Sequence, residues 1–279
     1  MARHRNAPAQ VLPGFGPTLG FALVYLSLIV LIPLAALALK ASGLGFHGIW
    51  AVATDGQVVH ALQLSFGISM LSALVNAFFG LLAAWVLTRY DFIGRRLLDA
   101  AIDLPFALPT AVAGLSLSAL YSTNGWIGGL LAPFGIKVAY TPLGIGVALV
   151  FIGLPFVVRT LQPVLAEVDE EIEEASASLG AGRAQTILRV VLPPLVPALL
   201  TGFALAFARA VGEYGSVTFI AGNIPYVSEI APVLIMQQVE GHNYEAATAI
   251  GVIMLAISFL MLLAINLIQA WSRRRYGHV

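Results

Sequence analysis

The chain has no cysteine among its 279 residues, which removes disulfides, thiol catalysis and cysteine-ligated metal sites while leaving the redox compartment open. Lysine is nearly as scarce. Lys40 follows Leu39 and Lys137 follows Ile136, so neither stands after a glycine and before Ser or Thr, where the ammonium of a phosphate-binding loop belongs. Energy for any pumping must then come from another subunit or from an ion gradient. The five histidines are scattered singly, no HExxH run occurs, and no Ser, His and Asp arrangement can be argued, so the expectation is no metal site, no cofactor bound by this chain and no enzyme chemistry. Charge is short as well: 10% of residues are charged and 59% hydrophobic, where soluble domains carry roughly 25% charged. With a mean hydropathy of +0.91, the chain is an all-α integral membrane protein. Its net charge of zero gives no global attraction to nucleic acid.

Apolar runs long enough for a hydrocarbon layer of roughly 30 Å, about 20 helical residues, fall at about 18–39, 61–88, 100–121, 141–158, 196–220 and 246–270. Six transmembrane helices are expected. The first run exceeds a signal-peptide core and reads as an anchoring span, preceded by a short basic segment over 1–17 and kinked by Pro33. Segment 41–60 reads as a polar connection, with Trp50 at an interface and His47 and His60 as solvated loop residues. If the amino terminus is cytoplasmic, Arg3, Arg5, Arg89, Arg95, Arg96, Arg159, Arg183, Arg189, Arg273, Arg274 and Arg275 all fall inside, and only Lys40 and Lys137 outside. That bias places both termini, including a basic tail over 270–279, in the cytoplasm.

The longest polar interruption is 167–194, with six acids, Glu167, Asp169, Glu170, Glu171, Glu173 and Glu174. Leu165, Val168, Ile172, Ala175 and Leu179 recur at steps of 3, 4, 3 and 4, one face of an amphipathic helix. Gly180 closes it, and Gly182 loosens the turn. A second short helix should follow over 183–192 until Pro193 and Pro194 remove two donors. An exposed helix pair with an apolar stripe fits a partner's groove, and six acids disfavour anionic lipid as the alternative.

Within the spans, Asp103 with Pro105 and Pro109 should bend or unwind the third helix; Asp103 then either gates a path or sits at the interface while the prolines shape packing. Arg209 and Glu213, one turn apart in the fifth span, should point inward as a pair. They serve either as a counter-charge for a passing anion or as a structural pair. Small residues, Ala111, Ala113, Gly114, Ser116 and Ser118 in the third span and Gly202, Ala206 and Ala210 in the fifth, mark a translocation path or a dimer seam. On the outer side, Ser228 should cap a short helix reaching about Val239.

Glu174, Ala175, Leu179, Gly180, Val191, Leu192 and Pro193 resemble the EAA loop of ABC importer permeases, with Ser176 where that motif has its second alanine. The runs LTRYDFIGRRLLDA, DLPFALPTAVAGLSLSALYSTNGWIG, PFVVRTLQPVL and ARAVGEYGSV followed by FIAGNIP are similar to the T-type permease subunits of sulfate/thiosulfate ABC importers. The resemblance implies the type I ABC importer transmembrane domain over 61–269, with the span at 18–40 added before it and the EAA loop, 167–194, inside it. It implies a bacterial inner-membrane subunit paired with a homologous W-type permease, two ATPase subunits that bind ATP and Mg, and a periplasmic sulfate/thiosulfate-binding protein. Carried onto this sequence, the ATPase-docking residues are Val168, Ile172, Glu174, Ala175, Leu179 and Gly180. The candidate path residues are Asp103, Pro105, Pro109, Arg209 and Glu213. Two other functions stay open: a molybdate/tungstate permease of the same fold working as a homodimer, and a proton-coupled secondary transporter with Asp103, Glu213 and Arg209 as relay.

Overall fold

A computed structural model describes residues 15–276, so Arg3 and Arg5 of the orientation argument lie outside the described residues. In order, the helices are α1 (Phe15–Ser42), α2 (Gly45–Ala53), α3 (Gly56–Arg89), α4 (Arg95–Ile102), α5 (Leu104–Ala107), α6 (Thr110–Tyr121), α7 (Trp126–Leu131), α8 (Pro142–Glu167), α9 (Glu170–Ser178), α10 (Arg183–Val211), α11 (Gly215–Ile220), α12 (Ala231–Glu240) and α13 (Tyr244–Tyr276). Among the described residues there is no strand, and five helices, α1, α3, α8, α10 and α13, are long and apolar enough to cross a membrane.

The third expected span is not one helix. It is divided among α4, α5 and α6, because Pro109 pushes Leu108 into extended backbone (φ −87°, ψ 135°) and Pro105 starts a new turn after Asp103. The fifth is broken as well: α10 stops at Val211, and α11 begins only at Gly215. Prolines elsewhere are absorbed. A π turn over Ser27–Leu31 precedes Pro33, and another over Ile187–Val191 precedes Pro193 and Pro194; the wider turn removes the clash between each ring and the carbonyl one turn back. The expected short helix over 183–192 is therefore the start of α10, continuous with the fifth span.

Other boundaries shift for local reasons. Asp55 caps α3 by accepting from the backbone N–H groups of Gln57 and Val58 at 3.0 and 3.1 Å, so the segment expected to be a polar connection is α2 plus the first turn of α3. His60 lies inside α3, its ring 6.2 Å from that of Tyr226. Helix α8 continues past Arg159 to Glu167, and α13 continues through the expected tail to Tyr276. Ser228 does not cap α12: its buried hydroxyl accepts from the Ile224 N–H at 3.2 Å, and the helix starts at Ala231.

The core is the trio α3, α8 and α10, which meet at Val157. A Cβ on Gly80 of α3 would lie 2.7 Å from Cγ1 of Val157, and one on Gly202 of α10 would lie 2.9 Å from its Cα. One turn along α8, Gly153 leaves room for the Asn76 carboxamide, and Ala206 stands against the same place. Gly202, Ala206 and Ala210 are all buried. That small-residue face is thus a seam inside the subunit, where close approach adds dispersion contacts that lipid cannot supply, and not the path or dimer seam expected of it. Helix α13 packs on α10 and α12, while α1 lies outside against α13 with only Ala41 buried.

Candidate coupling and translocation site

At one end of the trio, α9 is a two-and-a-half-turn helix closed by Gly180 at φ +87°. The Gly180 N–H donates to the Ala177 carbonyl at 2.9 Å and the Ala181 N–H to that of Ser176 at 3.1 Å, the paired bonds of a Schellman ending. Its orientation inverts the usual amphipathic pattern. Ile172 is 47% exposed and Leu179 89%, and Glu174, Ala175 and Gly180 are exposed beside them. The inward side is polar: Glu173 meets Arg89 Nη2 at 3.0 Å, and the Ser176 and Thr186 hydroxyls stand 2.8 Å apart. Val168 does not belong to the stripe. It is the extended residue (φ −76°, ψ 112°) between α8 and α9, and its carbonyl accepts from Arg89 Nη2 at 2.8 Å; Leu165, also expected there, is core.

A second cluster surrounds Arg159, which sequence reasoning used only for orientation. Its Nε and Nη2 donate to the two carboxylate oxygens of Asp103 at 2.8 and 2.6 Å, a bidentate fork. Nη1 donates to Asp99 Oδ1 at 2.7 Å and to Gln162 Oε1 at 2.6 Å, and Nη2 also reaches the Asp99 carbonyl at 2.9 Å. Gln162 Nε2 in turn donates to Asp99 Oδ1 at 3.0 Å, closing the cluster. Asp103 is therefore committed to a latch between the broken third span and α8. The available signal was the pair of acids at a spacing of four, Asp99 and Asp103, opposite an arginine near the end of the fourth apolar run.

A third cluster lies further along. Arg209 Nη1 and Glu213 Oε2 are 2.6 Å apart, as the spacing predicted, but Glu213 sits in the break after α10 and is only 2% exposed. Its other oxygen accepts from the Ser216 N–H at 2.8 Å and hydroxyl at 2.9 Å, capping α11. Because α8 and α10 run antiparallel with Val157 beside Gly202, Arg209 stands about 14 Å along the axis from Arg159, at 1.5 Å rise per residue. The two charge clusters are separate. What the fold does bring together are the two breaks: a Cβ on Gly215 would lie 2.2 Å from Thr110 Oγ1, immediately after Pro109, and one on Gly114 2.3 Å from the Ser216 carbonyl. Non-helical backbone at membrane depth persists only where protein or a water-filled cavity surrounds it. Pro105, by contrast, stays with α5 beside the Phe106–Phe156 ring pair. Among the described residues no group of His, Asp and Glu could hold a metal.

Comparison with known proteins gives this arrangement a place. The binding-protein-dependent transport system inner membrane component family matches residues 76–278. A sulfate transport system permease protein CysT of Synechocystis is 53% identical over 90% of this chain and 88% of its own length, and one of Escherichia coli K12 is 50% identical over 96% and 98%. Among solved structures, a bacterial ABC transporter that imports alginate matches with a TM-score of 0.76 at 16% identity over 93% of this chain and 94% of that one, and the methionine transporter MetNI with 0.59 at 19% over 79% and 98%. Those two likenesses show the fold, while the family match and the full-length relatives carry the assignment. The chain belongs to the binding-protein-dependent transport system inner membrane component family, the membrane permeases of ABC importers.

Proposed function

We propose that this chain is the T-type permease subunit of an ATP-driven importer of sulfate and thiosulfate, working by alternating access beside a homologous W-type permease. The carrying observation is about half identity, over nine-tenths of both chains, to the sulfate permeases of Synechocystis and Escherichia coli. The chain is the membrane component and has no ATPase site of its own. Two ATP-binding subunits dock at the α9 end, which the basic residues orient to the cytoplasm, and a periplasmic sulfate/thiosulfate-binding protein docks at the other. The exposed face of Ile172, Glu174, Ala175, Leu179 and Gly180 enters a groove on the ATPase. Closure of the ATPase pair on ATP moves α9, and the rigid trio α3, α8 and α10 carries that motion to the paired breaks near Pro109 and Glu213. Selectivity resides mainly in the binding protein, because Arg209 within the fifth span and Arg159 towards the inner end of α8 are already neutralised within the subunit.

Uptake of radiolabelled sulfate into cells lacking other sulfate systems tests this reading. Unlabelled thiosulfate should compete and molybdate should not, and vanadate should stop uptake into vesicles carrying the complex. Competition by molybdate at equal concentration would move the assignment to molybdate/tungstate, and uptake that persists in vanadate would point to ion coupling.

A further inference from the structure

The seat of α9 on the membrane body is polar where most helix seats are apolar. Its inward residues are Glu173 and Ser176, and each is held by a different core helix: Glu173 by Arg89, the last residue of α3, and Ser176 by Thr186 at the start of α10. Arg89 also donates to the Val168 carbonyl, the hinge between α8 and α9. Its side chain is 12% exposed, with the guanidinium carbon 5.9 Å from the ring centre of Trp85 one turn back on α3. One guanidinium therefore joins the end of α3, the hinge after α8 and the body of α9. We propose that Arg89 is a positioning residue that makes α3 follow α9, so that motion imposed on α9 reaches the membrane helices through a charged contact instead of being lost in bending at Val168.

The chemistry favours arginine for this work. Both contacts are made by Nη2, 2.8 Å from the Val168 carbonyl oxygen and 3.0 Å from Glu173 Oε1, and the rigid planar guanidinium fixes where that nitrogen stands, so tilting α9 without moving α3 stretches one of the two contacts; a lysine ammonium would swivel and keep contact while transmitting less. Leu179 and Ile172, exposed beside that seat, hold the ATPase; Arg89 sets what that grip displaces. This inference rests on α9 being the ATPase-docking element.

The test uses the full complex, both permeases with two ATP-binding subunits and the binding protein, in proteoliposomes. In Arg89→Ala the complex should purify in normal amount and hydrolyse ATP, while sulfate accumulated per ATP falls about tenfold, within the range of ordinary coupling between sites. Arg89→Lys should fall between Arg89→Ala and the unmodified protein, and Glu173→Gln, which keeps the Val168 contact, should do the same. Unchanged sulfate per ATP in Arg89→Ala overturns the proposal. So does a parallel loss of complex, hydrolysis and uptake across all three variants, which would make Arg89 merely structural. The docking reading fails on a different result: a Leu179→Arg complex that still assembles with its ATPase subunits.

Discussion

Arg159 grips both carboxylate oxygens of Asp103, 56 positions earlier, and in doing so ties the broken third span to the middle of α8. With Asp99 and Gln162 taking the remaining N–H groups, each of the five guanidinium donors has an acceptor. Arg159→Ala leaves two facing carboxylates without a counter-charge. Because these side chains are partly exposed, the loss should be moderate, about 1–2 kcal/mol, near that of hydrogen bonds to charged groups. Asp103→Asn, which keeps an acceptor and leaves Asp99 in place, should cost less. Unfolding midpoints of the purified protein in detergent check the order; equal midpoints for both variants and the parent would show that the latch adds no stability.

Glu213 carries a different weight from Arg209, although the two are partners. The carboxylate is buried and serves three donors, whereas the arginine is a third exposed. Removing Arg209 strands a buried anion, which should cost about 3 kcal/mol, the low end for a broken buried pair. Glu213→Gln keeps an acceptor for Ser216 and should fold better than Glu213→Ala. Replacing both members, Arg209→Met with Glu213→Gln, should recover folded yield relative to Arg209→Met alone. Detergent-soluble monodisperse protein is the measure, and no recovery in the double variant would assign Arg209 a role apart from neutralising Glu213.

Glycines in this chain are not equivalent, and their surroundings rank them. A Cβ at Gly114 would meet backbone atoms of Ser216 at 2.3, 2.7 and 2.8 Å, where nothing can swing aside, whereas one at Gly67 would meet nothing within 4 Å. Gly114→Ala should push α6 off α11 and cost roughly 3 kcal/mol, the upper end for overpacking. Gly67→Ala, in the interior of α3, should stabilise by about 0.5–1 kcal/mol by restricting the unfolded chain. Melting midpoints that moved alike in the two variants would refute the packing argument.

Legibility followed the range of each interaction. Gly180 was readable because a helix ending that needs positive φ is a local demand, met within five residues. The break near Pro109 was readable for the same reason. The end of α8 was not: Arg159 looked like the edge of a span because its neutralising acids, Asp99 and Asp103, come from a segment 56 to 60 positions away. Pro193 and Pro194 looked like a stop, since periodicity has no term for a π turn that widens to accept them. The stripe through Val168 and Leu165 was a true helical period crossing a hinge, so three of its members face out from α9 or its cap while Leu165 lies in the core. The Arg89 seat carried no periodic signal at all, being two long-range polar contacts from one side chain.

The absence of cysteine makes the orientation of α9 directly measurable. Single cysteines at Ala175 and Leu179 would be the only thiols in the chain, and both positions face outward. In the assembled complex, short thiol-reactive crosslinkers should join either one to a cysteine placed in the groove of the ATP-binding subunit. A cysteine at Ser176, turned toward Thr186, should fail to crosslink under the same conditions, although it lies on the same helix. In the isolated permease all outward positions should label with a water-soluble maleimide, and in the complex Leu179 should be protected most, because it is the most exposed residue of the stripe and has the most surface to lose. Crosslinking from Ser176 as efficient as from Leu179 would mean that α9 turns about its axis on assembly, abandoning its contacts with Arg89 and Thr186. Failure at both Ala175 and Leu179, with Ser176 equally silent, would remove α9 from the ATPase interface.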